Sequence, residues 1–228
     1  MTKQFQARFA VLLAAVFCLL LRGPFAAAQP LPQDVVTVGS GFAPAGTTID
    51  IPVYIRDTAG TPLGVDQPFG SRIQSYSIKV NYAPAASVQS ITFTRAGITQ
   101  SLTPLFESSP SSPGTITLLD TFHEATNPVP FTSNAALPGN QVAHLLIQLA
   151  PGATPGVLTL TLDPTLTQLT DEGGDAATKE TVANGNLLLV SGAVTVLPST
   201  AIPTLSLLGI LAVALALAAV AISKVIRS

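Results

Sequence analysis

Hydrophobic and polar residues alternate through the middle of the chain. Thr47, Ile49, Ile51, Val53 and Ile55 alternate with Thr48, Asp50, Pro52, Tyr54 and Arg56. An extended chain sends successive side chains to opposite faces, so a period of two predicts a strand with one buried face. Residues 73–82 repeat it, with Tyr76, Ile78, Val80 and Tyr82 inward and Ser75, Ser77, Lys79 and Asn81 outward. Further strand-like runs are 35–38, 88–94, 115–119, 142–149, 157–162 and 186–196. Turn residues part them, such as Pro44-Ala45-Gly46, Pro151-Gly152 and Gly173-Gly174. No amphipathic helix is evident between residues 34 and 196. About nine short strands predict an all-β fold, a sandwich whose two sheets bury alternate residues against each other. Two segments rich in Gly, Pro and Ser, 58–71 and 103–114, are predicted to be exposed, mobile loops.

The alternation stops at both ends. Residues 9–21 form an uncharged apolar run preceded by Lys3 and Arg8. Thirteen residues are short for a hydrocarbon core of about 30 Å. Arg22-Gly23-Pro24 breaks the run, and Ala26 and Ala28 place small residues at −3 and −1 of a cleavage site. Residues 1–28 therefore read as a secretory signal peptide, with the mature chain starting at Gln29. Residues 205–222 are eighteen uncharged residues, enough for a transmembrane helix of about 27 Å. Lys224 and Arg227 follow as a basic tail that orients this helix with its C-terminus inside. Residues 197–202 form a short linker.

Composition sharpens this division. Charged residues make up only 10% of the 228 residues and apolar ones 47%, because the two terminal runs dilute the charge. All twelve acidic residues lie between Asp34 and Glu180 with five basic ones, giving that region a net charge of −7. A nucleic-acid binder needs a basic face, and none is present. The one cysteine, Cys18, falls inside the signal peptide, so the mature chain is expected to have no disulfide and no thiolate site.

Two stretches resemble known families. Ile202, Pro203, Thr204, Leu205 and Ser206, followed by an apolar helix and a basic tail, resemble the IPTL-CTERM sorting domain of Gram-negative bacteria. The resemblance implies a sorting signal over 203–228, read by an exosortase-type membrane transpeptidase. It implies anchorage in the inner membrane before processing and then a cell-surface or extracellular location.

Val-Thr-Val-Gly-Ser at 36–40, Pro-Ala-Gly-Thr-Thr-Ile-Asp-Ile-Pro-Val at 44–53 and Ile-Gln-Ser-Tyr-Ser-Ile-Lys-Val-Asn-Tyr-Ala-Pro at 73–84 resemble the start of a cohesin-like domain. Ala83 stands where that family usually has aspartate. The resemblance covers 34–196 and implies a jelly-roll sandwich related to carbohydrate-binding modules. Cohesins are best known for binding dockerins.

Candidate chemistry is sparse. His123 and Glu124 could form an acid–base or metal pair, but neighbours on an extended chain face apart. His144 falls on the less buried face of its strand. Asp171-Glu172-Gly173-Gly174-Asp175 could cup calcium at a tight turn, and otherwise reads as a solvated acidic turn. The acidic residues are expected in turns and on outward faces, with no paired carboxylates of a glycosidase. No nucleophile elbow, zinc motif or phosphate loop occurs, so neither enzyme activity nor a cofactor is expected. Stacking on sugars favours exposed aromatics. The chain has no Trp, and of its three tyrosines only Tyr54 is predicted to face outward.

The sequence thus predicts an exported, surface-sorted, non-enzymatic module for adhesion or scaffolding through protein partners. The alternative is a module binding envelope or extracellular polysaccharide through a site such as Tyr54.

Overall fold

Thirteen strands and two single 3-10 turns form the described residues, 31–175 and 178–199, of a computed structural model. The predicted signal peptide and sorting tail lie outside the described residues, as do linker residues 200–202. The strands are β1 (Asp34–Val38), β2 (Gly41–Pro44), β3 (Thr48–Arg56), β4 (Ser75–Ala83), β5 (Val88–Arg95), β6 (Phe106–Ser108) and β7 (Ser111–Ser112). They continue as β8 (Thr115–Thr121), β9 (Asn140–Leu149), β10 (Gly156–Leu162), β11 (Gln168–Thr170), β12 (Leu187–Val190) and β13 (Gly192–Leu197).

Two sheets result. The smaller runs β12-β1-β3-β9-β5, and the larger β2-β13-β10-β4-β8-β6, with β11 added to β4 and β7 to β8. The pattern read from the sequence is the one observed on β4, where Tyr76, Ile78, Val80 and Tyr82 are buried and the residues between them are not. On β3 the buried set is Ile51, Val53 and Ile55, while Thr47 lies before the strand and is exposed. Ile51, Val53, Leu145 and Ile147 from the smaller sheet share one core with Ile78, Val80, Leu118 and Leu160 from the larger.

Pro52 sits inside a central strand, where a missing N–H usually breaks a ladder. Its carbonyl accepts from Gly39 N at 2.9 Å. The missing donor therefore faces the same side, where β1 has already ended at Val38.

Three expectations need correction. The run 186–196 is not one strand. It divides at Ser191 into β12, in the smaller sheet, and β13, in the larger. The N-terminal segment does the same: β1 lies in the smaller sheet and β2 in the larger. β12 is parallel to β1 and β13 is parallel to β2, so the two segments cross between sheets side by side. There Ala193 N donates to Ser40 Oγ at 3.0 Å. A Cβ on Gly192 would stand 1.9 Å from Gly39 O, so the crossing admits no side chain.

Second, segment 103–114 carries β6 and β7, both hydrogen-bonded to β8. Their polar residues cover the sheet edge and remain largely exposed. Third, segment 58–71 is not wholly exposed: Leu63 is fully buried and Thr61 nearly so. The strand total rises from about nine to thirteen through the first two of these corrections and through β11, which none of the sequence runs covered.

Candidate functional site

The outer face of the larger sheet follows from the same alternation that builds the core. Inward residues of β4, β8, β10 and β13 are apolar except Asp120 on β8, which leaves mostly small hydroxyl side chains outside. Register places them in rows. Phe42 lies beside Thr195, and Thr195 beside Val157. Thr161 lies beside Asn81, and Asn81 beside Thr115. Lys79 faces Thr117, and Ser77 faces Leu119. Ser75 faces Thr121, which faces Phe106. Among the outward side chains of these four strands, Lys79 alone is charged, and it pairs with Asp163 at 3.7 Å. Phe42, Val157 and Phe106 are 74%, 58% and 55% exposed. The face is broad, nearly uncharged and dotted with apolar groups.

The smaller sheet differs. Tyr54 stands between Thr37 and Gln141 and is half-buried. Charged side chains share its surroundings. His144 Nδ1 contacts Asp50 Oδ1, and Arg56 Nε donates to Ala135 O at 2.8 Å. Tyr54 is thus one aromatic among polar neighbours rather than part of a platform.

The acidic residues overturn the expectation that they sit on turns and outward faces. Asp34, Asp57 and Glu180 are fully buried, and Asp120, Glu124 and Asp171 nearly so. Segment 58–71 is wrapped on four of these carboxyls, Asp34, Asp57, Glu124 and Glu180, and on Asp66. Asp34 Oδ1 accepts from Thr58 N at 2.7 Å, and Glu180 Oε1 accepts from Leu63 N at 2.9 Å. Asp57 Oδ2 accepts from Val65 N, and Asp66 Oδ2 from Gly60 N, each at 2.9 Å. Buried main-chain donors need acceptors, and these carboxyls supply them where no sheet ladder can.

Asp34 and Glu180 adjoin, and Asp34 Oδ2 and Glu180 Oε2 are both buried without a hydrogen-bond donor. As two carboxylates neither oxygen would have a donor; a proton held on one of the two acids would supply it. Burial pushes both acids upward, Asp34 to about 6 and Glu180 to about 10, and for Glu180 the adjoining Asp34 adds to the rise. Asp120 accepts from Tyr76 OH at 2.9 Å and is also pushed up by burial, to about 6. No sequence neighbour signalled these pairs, because the partners are joined only by the fold.

The remaining predicted residues fall as follows. His123 and Glu124 do face apart. Glu124 is buried and accepts from Gly70 N at 2.9 Å, whereas half-exposed His123 lies 3.4 Å from Glu172 Oε2. In the acidic turn, Asp171 Oδ1 accepts from Asp175 N at 3.2 Å and Oδ2 accepts from Thr178 Oγ1 at 2.8 Å. Those bonds shape the turn. Among the described residues, no group of three or more His, Cys, Asp or Glu side chains is arranged to hold a metal ion. Ala26, Ala28, Ile202, Pro203, Thr204, Leu205, Ser206, Lys224 and Arg227 lie outside the described residues. Sequence reading missed the flat face and the buried carboxyls. The face was partly visible in the spacing of Thr115, Thr117 and Thr121.

No protein-family model and no curated protein matches this sequence. Solved structures do. CaCohA2 from Clostridium acetobutylicum is 20% identical with a TM-score of 0.51, over 75% of this chain and 94% of that one. The third cohesin of ScaC from Acetivibrio cellulolyticus, in complex with the ScaB dockerin, is 15% identical with a TM-score of 0.51, over 72% and 99%. A type I cohesin–dockerin complex from Clostridium thermocellum is 14% identical with a TM-score of 0.50, over 72% and 99%. What the described residues share with these proteins is the cohesin fold.

Proposed function

We propose that this chain is an exported, surface-sorted, non-enzymatic module that docks a protein partner on the outer face of its larger sheet. The observation that carries this reading is the face itself. Interface centres are depleted in charged residues and enriched in aromatic ones. This face offers one paired lysine and exposes Phe42, Val157 and Phe106. Solved cohesins of the same fold, in complexes with dockerins, support a protein as the partner.

Thr117 and Thr161 both point outward from central strands of this face. Thr117→Arg combined with Thr161→Arg should leave thermal melting unchanged, because nothing buried is altered. It should weaken a captured protein partner by about a hundredfold, because it would bury two unpaired charges. Cross-linking on intact cells followed by affinity measurement checks this. Undiminished binding would move the contact elsewhere. A glycan bound by the wild type and lost on Tyr54→Ala would assign a polysaccharide ligand to the smaller sheet.

Export and sorting belong to the same proposal. The signal peptide would send 29–228 across the inner membrane, and the tail would be processed by an exosortase-type transpeptidase in a Gram-negative cell. Pro203→Ala with Thr204→Ala should then leave the tail uncut, seen as a slower band retained in the inner membrane. Unchanged processing and display would leave only a plain anchor.

A further inference from the structure

A sheet edge offers unpaired main-chain donors and acceptors, and proteins shorten, charge or cover such edges. The strands that end the two sheets are β2, β6, β12 and β5. The first three are short, with four, three and four residues. β5 has eight, Val88–Arg95, with no proline and no charged residue before Arg95. Arg95 is itself occupied, its Nε donating to Glu107 Oε1 and its Nη1 to Thr99 O, each at 3.1 Å. A bulge between Val88 and Ser90 interrupts the ladder at one end. Residues 90–94 remain as a regular stretch, and among the described residues no strand pairs with their outer side.

Which groups face out follows from the pairing with β9. Ala96 N donates to Val142 O at 3.1 Å, in the register that continues as Thr94–His144, Thr92–Leu146 and Ser90–Gln148. In an antiparallel ladder alternate residues turn their main chain to the same neighbour, so Ser90, Thr92 and Thr94 are bonded to β9. The N–H and C=O of Ile91 and Phe93 therefore point away from the sheet. Their side chains point inward, where both are buried. Beside Ile91 a pocket of about 360 Å³ opens between the sheets. It is lined from β5 by Val88, Ser90 and Ile91 and from across the gap by Tyr82, Ser112 and Pro113, and none of its lining residues is charged.

We propose that β5 accepts an extended segment of a partner protein as an added antiparallel strand, with an uncharged apolar side chain of that segment seated in the pocket. In such pairing main-chain bonds give affinity and pockets for alternate side chains give specificity. A residue opposite Ile91 would exchange both main-chain bonds with it and would face inward, over the pocket. A charged side chain there would be desolvated without a partner. The antiparallel sense is the more stable per residue and continues that of β9. On the outer face the segment would lie beside Ser90, Thr92 and Thr94, which are all exposed and bring no repelling charge. The edge belongs to the smaller sheet, so this contact adds to the docking face and does not depend on it.

Amide hydrogen exchange read by NMR on the detergent-solubilised chain tests it, with acetyl-Lys-Thr-Val-Thr-Leu-Thr-Val-Thr-Lys-amide as the probe. In the free chain the Ile91 and Phe93 amides should exchange faster than those of Thr92 and Thr94. The peptide should slow them about tenfold, the scale of one or two main-chain bonds. N-methylation of its Leu and one Val should weaken it about tenfold, because those N–H groups face β5. Methylating the two threonines that flank Leu should not. Asn in place of Leu should weaken the peptide about tenfold. So should Ser112→Arg, which charges the pocket wall from an exposed position and should leave melting unchanged. Thr117→Arg with Thr161→Arg should leave the peptide's affinity as it was. The proposal fails if Ile91 and Phe93 are already protected in the free chain, or if their exchange does not respond to the peptide. It also fails if the position of methylation makes no difference, if the Asn peptide and Ser112→Arg bind undiminished, or if the docking-face variant loses the peptide. Protection that grows with chain concentration alone would overturn it in favour of a second copy on this edge.

Discussion

Raising the pH from about 5 to about 10 is expected to destabilise the folded chain continuously, by several kcal/mol in total. The cause is the buried Asp34–Glu180 pair. Glu180 is held protonated up to about pH 10 and Asp34 up to about pH 6, whereas the unfolded chain ionises both near pH 4. A raised folded value means that the native state binds more protons than the unfolded state. The stability these groups contribute is complete below their unfolded values and is lost as pH rises towards their folded values. Asp120, raised to about 6, acts in the same direction. Asp163 acts oppositely. Hydrogen bonds from Thr165 and Leu166 lower it to about 2, so its share is present at neutral pH and lost only in strong acid.

Thermal melting across this range checks the expectation. Glu180→Gln should flatten the alkaline slope. Its amide can keep the acceptor for Leu63 N and supply permanently the donor that the acid gives only while protonated. A midpoint that rose with pH between about 5 and 9, or a slope unaltered in Glu180→Gln, would contradict the retained proton. Loss of the proton should act first on segment 58–71, whose main-chain donors rest on these carboxyls.

Gly192→Ala is expected to cost about 3 kcal/mol or more, the upper range for forced overpacking. The added methyl would meet Gly39 O at 1.9 Å and Val38 O at 2.6 Å. Those atoms are main chain and cannot rotate aside. The two segments would have to separate where they cross between sheets. For a domain of this size the midpoint should fall by roughly 6–12 °C. Gly152→Ala is the control, because a Cβ there meets nothing within 4 Å. Equal midpoints for the two variants would show that the crossing is not tight.

The elements that were legible in the sequence are those whose alternation is undiluted. β4 reads Tyr76, Ile78, Val80 and Tyr82 at every second place, and the sheet buries those residues. The division of 186–196 was hidden for a physical reason. Leu187 faces inward in one sheet, and Val194 and Val196 face inward in the other. The parity therefore flips at the crossing. Residues 187–190 are apolar at every position, so nothing in the sequence marks the flip. Asp34 and Glu180 were illegible because a carboxyl reads as a surface group unless its partner is known, and here the partner lies almost the whole domain away. Ser90, Ile91, Ser112 and Pro113 border one pocket only because the fold sets β5 beside β7. The outward threonines were visible singly, but only the strand order makes them one surface.

The paired crossing also gives the module a direction. From Asp34 to Pro44 the chain runs once along the sandwich, about 30 Å at strand rise, with Leu197 alongside Pro44 at the finish. Segment 58–71 is bound to Asp34 at the opposite extremity. The chain therefore leaves the domain, past Leu197, at the extremity away from segment 58–71.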